Sequence, residues 1–269
     1  GKIDVYDPAN NSFKTILDIF TSDKTNKRIN ELRTSGDTIY AATDFGISLI
    51  NSVNYFFYDT YFKFGSLTSN IKVNSTLNDG IIYSCTEAGL AISKVNAINL
   101  SAPESWNVYQ IGSGLISNNV LKVFHFRDSL IAATDKGFSI FNGISWQPYL
   151  ISYNNKIISD VVVNNDSLLI LSQNNISSYY NGSLTQIFTS SIPLKKLKFD
   201  NQFGYLAAST AGIVNLNGVV QNFLAPNSPP ANKFLDIRVD KEGTLWSASG
   251  KNNGGIGFFK LQNEIWTSY

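Results

Sequence analysis

Cysteine, histidine and methionine are almost missing from this chain: its 269 residues include one Cys, one His and no Met. A lone Cys85 cannot close an intrachain disulfide. One Cys and one His also exclude multi-Cys zinc sites and His-rich metal sets, so no metal site is expected. The missing disulfides leave the redox compartment open. Charge is sparse as well: 15% of residues are charged, with 21 Lys+Arg against 20 Asp+Glu and a net charge of +1. No basic excess exists to condense on phosphate, which argues against a nucleic-acid partner. No apolar run approaches the roughly 20 residues of a membrane span, so this segment is not expected to insert into a membrane. No signal-peptide pattern stands at its start, and no helix longer than a turn or two is expected. Nothing in the sequence calls for a cofactor.

What is present is a repeat. Leu130 to Tyr149 reads as three short strands and two turns. Leu130 to Ala133 is a small apolar strand, and Thr134-Asp135-Lys136-Gly137 is a turn with Gly where positive φ is easiest. Phe138 to Phe141 follows, then Asn142-Gly143, read as a type I′ hairpin turn, and Trp146 to Tyr149 closes the unit.

Versions of this unit run from end to end. Lys2 to Tyr6 and Phe13 to Ile16 resemble its second and third strands, joined by a turn at Asp7-Pro8-Ala9-Asn10, so the chain opens inside a unit. That leaves room upstream for a targeting segment. Residues 20–28 read as a polar loop, and six fuller units follow. Their small-residue strands and turns are Thr38 to Gly46, Ile81 to Gly89, Leu130 to Gly137, Leu168 to Asn175, Leu206 to Gly212 and Thr244 to Gly255. The fourth loses its turn Gly at Gln173-Asn174-Asn175 but keeps Asn181-Gly182, and the fifth has Asn217-Gly218.

Gly46 to Gly89 is 43 residues, Gly89 to Gly137 is 48, Gly137 to Gly212 is 75 and Gly212 to Gly255 is 43. The long interval suits two units with the middle Gly lost. A period of about forty, with four strands in each, is the signature of a β-propeller. One four-stranded sheet cannot bury both faces alone, whereas radial stacking covers each face with a neighbour. The expected fold is therefore all-β: a β-propeller of about seven four-stranded blades, the first incomplete at the N-terminus. A β-helix and a sandwich are the alternatives. Residues 1–269 read as one propeller domain, six full repeats plus a partial one, and as a fragment of a longer chain.

Candidate chemistry is thin, and no catalytic residue is assigned. Cys85 replaces Ala in a small-residue strand and reads as a buried space-filler; His125 reads as a hydrogen-bonded channel residue. Asp44, Glu87 and Asp135 recur before the turn Gly and are each expected to cap their own turn. Gly254-Gly255-Ile256-Gly257 lacks the strand-to-helix setting of a phosphate loop and reads as a flexible insertion. Ligand contacts are expected from two places. One is the aromatic run with Tyr55, Tyr58 and Tyr61, either a stacking platform for a glycan or an outer strand packed on its neighbour. The other is the set of inner-strand polar residues near a central channel: Arg33, Lys122, His125, Lys198 and Arg238.

Two resemblances add to this reading. Gly114-Leu115-Ile116-Ser117-Asn118, Ala133 to Gly137, Asn142-Gly143 and Trp146 to Tyr149 resemble the two-component regulator propeller repeat, which covers essentially the whole chain. Lys2 to Tyr6, Arg28-Ile29-Asn30, Ala42 to Ser48, Asp59-Thr60-Tyr61 and Phe64-Gly65 resemble the N-terminal propeller of PorZ-like proteins, over about residues 1–70. The first family implies periplasmic sensor propellers of hybrid two-component systems. The second implies surface proteins linked to type IX secretion in Bacteroidetes and their relatives. The expected function is a non-enzymatic, extracytoplasmic propeller, in the periplasm or on the outer surface. It would bind a glycan or protein partner and sit beside other domains of the same full-length protein. A two-component sensor propeller is the alternative, and a propeller-based lyase or hydrolase is a third reading.

Overall fold

The structure, a computed structural model, describes residues 1–7, 12–201, 204–209, 212–216, 222–223, 234–249, 257–262 and 265–269. Residues 8–10 of the first turn, the Asn217-Gly218 hairpin and Gly254-Gly255 lie outside the described residues. The chain is all-β: the described residues form a two-stranded hairpin followed by six four-stranded antiparallel sheets, each meandering in chain order.

The hairpin pairs Ile3–Asp7 with Ser12–Ile16. The first sheet comprises Ile29–Ser35, Thr38–Thr43, Gly46–Asn51 and Phe57–Tyr61. The second comprises Val73–Asn78, Ile82–Thr86, Gly89–Ser93 and Trp106–Tyr109. The third runs Val120–Phe126, Ser129–Thr134, Gly137–Phe141 and Trp146–Tyr149, and the fourth Ile158–Asn164, Ser167–Ser172, Asn175–Tyr180 and Ser183–Thr189. The fifth holds Leu194–Asp200, Gly204–Ser209, Gly212–Asn215 and Asn222–Phe223; the sixth holds Phe234–Val239, Leu245–Ser249, Phe258–Gln262 and Ile265–Ser268. Helix is confined to one turn, Asp18–Thr21, and three short 3₁₀ turns among the described residues. The helical turn enters the stretch expected to be polar loop because Ile19 is buried against the first sheet.

Alternation of side chains explains how one strand serves two neighbours. Ala41 packs toward the hairpin with Ile3, Ile16 and Ile50, whereas Ala42 packs toward the second sheet with Ile71, Val73 and Ile82. Ala132 and Ala133 divide the same way between the second and fourth sheets. The two fully buried Ala pairs let flanking sheets approach closely where the inner strands converge. Leu169 and Leu171 of the fourth sheet then meet Leu194, Leu197 and Ala207 of the fifth. From the hairpin to the fifth sheet each element thus covers the next, as a radial arrangement requires. The sixth sheet joins none of these clusters among the described residues.

The repeated turns work differently from the expectation. In the first sheet Thr43 Oγ1 donates to the Gly46 carbonyl and accepts from the Phe45 N–H. Thr86 and Thr134 repeat both bonds. Asp44 therefore does not cap its own turn: it accepts instead from Asn30 Nδ2 at 2.8 Å, and Asp135 accepts from Asn119 Nδ2 at 3.2 Å. The turn glycines are required by crowding as well as by φ. A Cβ on Gly46, at φ 134°, would lie 2.2 Å from the Tyr61 carbonyl oxygen. Asn142-Gly143 is also not a two-residue turn. Phe141 pairs with Trp146, and Asn142 Oδ1 accepts from the Ile144 and Ser145 N–H groups, so four residues make the loop. Asn181-Gly182 does have positive φ at both positions, 47° and 80°, between paired Tyr180 and Ser183.

Candidate functional site

All six innermost strands carry a β-bulge at the same place. The register shifts between Ile29 and Glu31, Val73 and Ser75, Val120 and Lys122, Ile158 and Asp160, Leu194 and Lys196, and Phe234 and Asp236. A bulge turns the strand and re-aims the residue that follows. Glu31, Ser75, Lys122, Asp160, Lys196 and Asp236 therefore occupy one equivalent position, and five of the six are ionisable.

These residues stitch neighbouring sheets together. Glu31 Oε2 accepts from the Thr76 N–H at 3.0 Å, and Asp160 Oδ2 accepts from the Leu197 N–H at 2.8 Å. In both cases the donor is the residue after the bulge position of the next sheet. Ser75 Oγ donates to the Leu121 carbonyl, and the bulged-out Asn30 and Asn74 donate to the Val73 and Val120 carbonyls. Asp160 is 1% exposed at its side chain and meets Lys122 Nζ at 2.5 Å. With the Val161 N–H as well, this buried carboxylate has three donors. Burying a charge without such partners would cost several kcal/mol.

The inner strands of the first, third, fourth and fifth sheets surround a cavity of about 640 Å³. Its charged walls are Glu31, Arg33, Lys122, Asp160, Lys196 and Lys198. Arg33 Nη1 donates to the Thr76 carbonyl at 2.9 Å, and Lys196 lies 3.7 Å from Glu31. The remaining lining is aliphatic or small and polar, with no aromatic ring.

Of the residues expected at a site, the structure brings Arg33, Lys122 and Lys198 together here. Arg238 is 82% exposed at its side chain, lies 3.5 Å from Asp236, and lines a separate recess with Trp246 and Phe258. His125 is exposed and shares a 2.7 Å hydrogen bond with Asp79, away from the cavity lining. The tyrosines belong to the rim and outer strand of the first sheet. Lys14 Nζ sits 4.9 Å over the Tyr55 ring, and exposed Tyr58 shares a hydrogen bond with Thr38. Tyr61 packs edge-on against Trp106 at 6.1 Å, and burial first, then the nearby Asp59 carboxylate, pushes its hydroxyl up to about 12.

Glu31, Asp160 and Lys196 were not among the expected site residues. The signal was present: they fall two residues after the first apolar residue of each inner strand, a register visible once the strands are aligned. Cys85 is fully buried, and desolvation pushes its thiol up to about 12, which disfavours the thiolate a nucleophile needs. Among the described residues, no group of three or more His, Cys, Asp or Glu side chains could hold a metal ion.

Residues 1–107 match the family described as the TSS9, PorZ, N-terminal β-propeller domain, further along the chain than the residues quoted for that resemblance above. Comparison with curated proteins finds no match. Among solved structures, PorZ of Porphyromonas gingivalis, a surface component of the type IX secretion system, is 21% identical, with a TM-score of 0.63 over 100% of this chain and 36% of that one. The extracellular domain of a hybrid two-component system from B. thetaiotaomicron is 17% identical, with a TM-score of 0.59 over 99% of this chain and 38% of that one. A virginiamycin B lyase from Staphylococcus aureus is 13% identical, with a TM-score of 0.56 over 100% of this chain and 88% of that one. This chain thus spans little more than a third of the first two. It shares the propeller fold with all three, and in residues 1–107 it carries the sequence pattern of the PorZ N-terminal propeller.

Proposed function

We propose that the chain is a non-enzymatic, extracytoplasmic β-propeller that binds a ligand or partner through the cavity ringed by its inner strands. The observation that carries this reading is the cavity itself. Four sheets distant in sequence converge there, and each places one charged side chain (Glu31, Lys122, Asp160, Lys196) at the same repeat position, with Arg33 and Lys198 two residues further along their strands. Such a recess, of a size suited to a small molecule or a side-chain cluster of a protein, is where a propeller offers residues from several blades at once. In this reading the hairpin is the outer half of a seventh blade, since it packs on the first sheet as the second to fifth sheets pack on the ones before them. The setting is a longer surface or secretion-associated protein, supported by the match of residues 1–107 to the PorZ N-terminal propeller family. The sensor half of a two-component system is the second reading, supported by likeness to extracellular domains of such systems at TM-scores of 0.60 and 0.59. Both readings put the propeller outside the cytoplasm.

A thermal-shift screen of the 269-residue chain against metabolites, glycans and peptides tests the binding reading. Leu32 lines the cavity and is 47% exposed, so Leu32→Trp fills the space without disturbing a packed core. A hit whose binding is lost in Leu32→Trp supports the reading. Hits indifferent to that substitution place binding elsewhere and refute it.

A further inference from the structure

Four cations and two carboxylates line the cavity, and the carboxylates are already engaged. Asp160 accepts from Lys122, Leu197 and Val161, and Glu31 accepts from Thr76 beside Lys196. Neither has much capacity left to neutralise a third or fourth cation. Arg33 spends its one bond on a neutral carbonyl, that of Thr76, which satisfies a donor but leaves its charge uncompensated. Among the described residues Lys198 has no hydrogen-bond or ion-pair partner at all. A surplus of two positive charges therefore faces a concave space, on a protein whose net charge is only +1.

We infer that the cavity binds a small polyvalent oxyanion, a phosphate or carboxylate compound, with Arg33 and Lys198 as its principal contacts. This rests on the cavity being the binding site, as proposed above. The chemistry follows from three features of the walls. Concave low-dielectric walls focus the field of the unpaired cations and attract an anion. A guanidinium with free N–H groups recognises an oxyanion bidentately, and an ammonium adds a point charge beside it. Finally, the cavity has no aromatic ring on which a neutral sugar could stack, so a neutral glycan finds little there to hold it. Lys122 and Lys196 play a different part: their charges are spent on Asp160 and Glu31, and the Lys196–Glu31 pair joins the two strands that carry Lys198 and Arg33.

The test is isothermal titration of the 269-residue chain with inorganic phosphate and, separately, with citrate, at constant ionic strength adjusted with sodium chloride. Saturable one-to-one binding of either anion is expected, weakening as salt rises. The two arms tell a phosphate preference from a carboxylate one. Lys198→Gln and Arg33→Gln should each weaken binding at least about tenfold. Lys195→Gln, an exposed neighbour outside the cavity lining, should leave it unchanged. Lys198 is exposed, so its substitution does not threaten folding, and circular dichroism of each variant checks that point. No saturable binding of either anion up to about 10 mM, or binding indifferent to both substitutions, overturns the inference. A neutral ligand that Leu32→Trp excludes but Lys198→Gln does not weaken would sink the anion inference while leaving the binding reading intact. If nothing tested responds to Leu32→Trp, both fall.

Discussion

The Lys196 ammonium of the fifth sheet lies 3.7 Å from the Glu31 carboxylate of the first, joining strands 165 positions apart (196 − 31) across the central cavity. A row of sheets laid out flat could not bring these two together. Their meeting records that the sheets turn about an axis, each advancing the inner strand around it.

Both residues are partly solvated, with 36% and 16% of their side chains exposed, so the pair contributes modestly. Lys196→Gln should lower stability by up to about 1 kcal/mol, and Glu31→Gln by somewhat more, because it also weakens the acceptor of the Thr76 N–H; the double variant should lose less than the sum of the two. Urea unfolding of the two single variants and the double variant measures the coupling. Additive losses would mean the pair does not help hold the first and fifth sheets together.

The neighbouring Lys122–Asp160 pair is buried and should behave differently. Lys122→Met leaves a carboxylate that is 1% exposed without its cation, and a loss of about 3 kcal/mol is expected. The backbone donors from Leu197 and Val161 remain and keep the loss from being larger. The midpoint of urea unfolding should fall without a change in its slope.

Two glycines separate crowding from backbone strain. A Cβ on Gly114 would lie 1.9 Å from the Trp146 carbonyl oxygen, so Gly114→Ala must displace the outer strand of the third sheet. Gly80 has φ 102° but nothing within 4 Å, so Gly80→Ala meets only the left-handed penalty of about 1–2 kcal/mol. Thermal melts should therefore show Gly114→Ala as the more damaging of the two by a clear margin.

The division of labour in the repeat turn gives another contrast. Thr43→Val removes two hydrogen bonds at a fully buried position and should cost about 1–3 kcal/mol. Asp44→Asn keeps an acceptor for Asn30 and should cost well under 1 kcal/mol. A larger loss from the Asp44 variant would return the capping role to the carboxylate.

Stability should fail on the alkaline side. Burial raises the hydroxyls of Tyr61 and Tyr149 to about 12 from an ordinary 10, and the Cys85 thiol to about 12 from 9. Each keeps its proton in the folded chain at a pH where the unfolded chain has lost it. The unfolded state then binds fewer protons, so stability falls with rising pH. It is fully present below about pH 9, is lost progressively as pH rises toward 12, and ceases to fall above that. Tyr61→Phe, which keeps the ring against Trp106, should flatten this decline in urea unfolding measured from pH 9 to 12.

Local order in the residues is enough to determine a repeat of small antiparallel sheets. Alternating burial, paired alanines and turn glycines at regular intervals act within one sheet, over a few residues, and so can be read along the chain. Ile29–Ser35, Trp106–Tyr109 and Trp146–Tyr149 fall where their patterns place them for that reason. The partnerships between sheets were decided only by tertiary structure. Asp44 reaches Asn30, and Asn30 reaches on to the Val73 carbonyl, because the bulge swings that side chain toward the next sheet. Tyr61 is covered by Trp106 while Tyr58, three residues away, stays exposed, because strand alternation and the neighbouring sheet together select which ring is buried. The cavity gathers Arg33, Lys122 and Lys198 but not His125 or Arg238, although all five stand on inner strands. Charge pairing across it depends on the angle at which each sheet stacks on the last, and no window of sequence contains that angle.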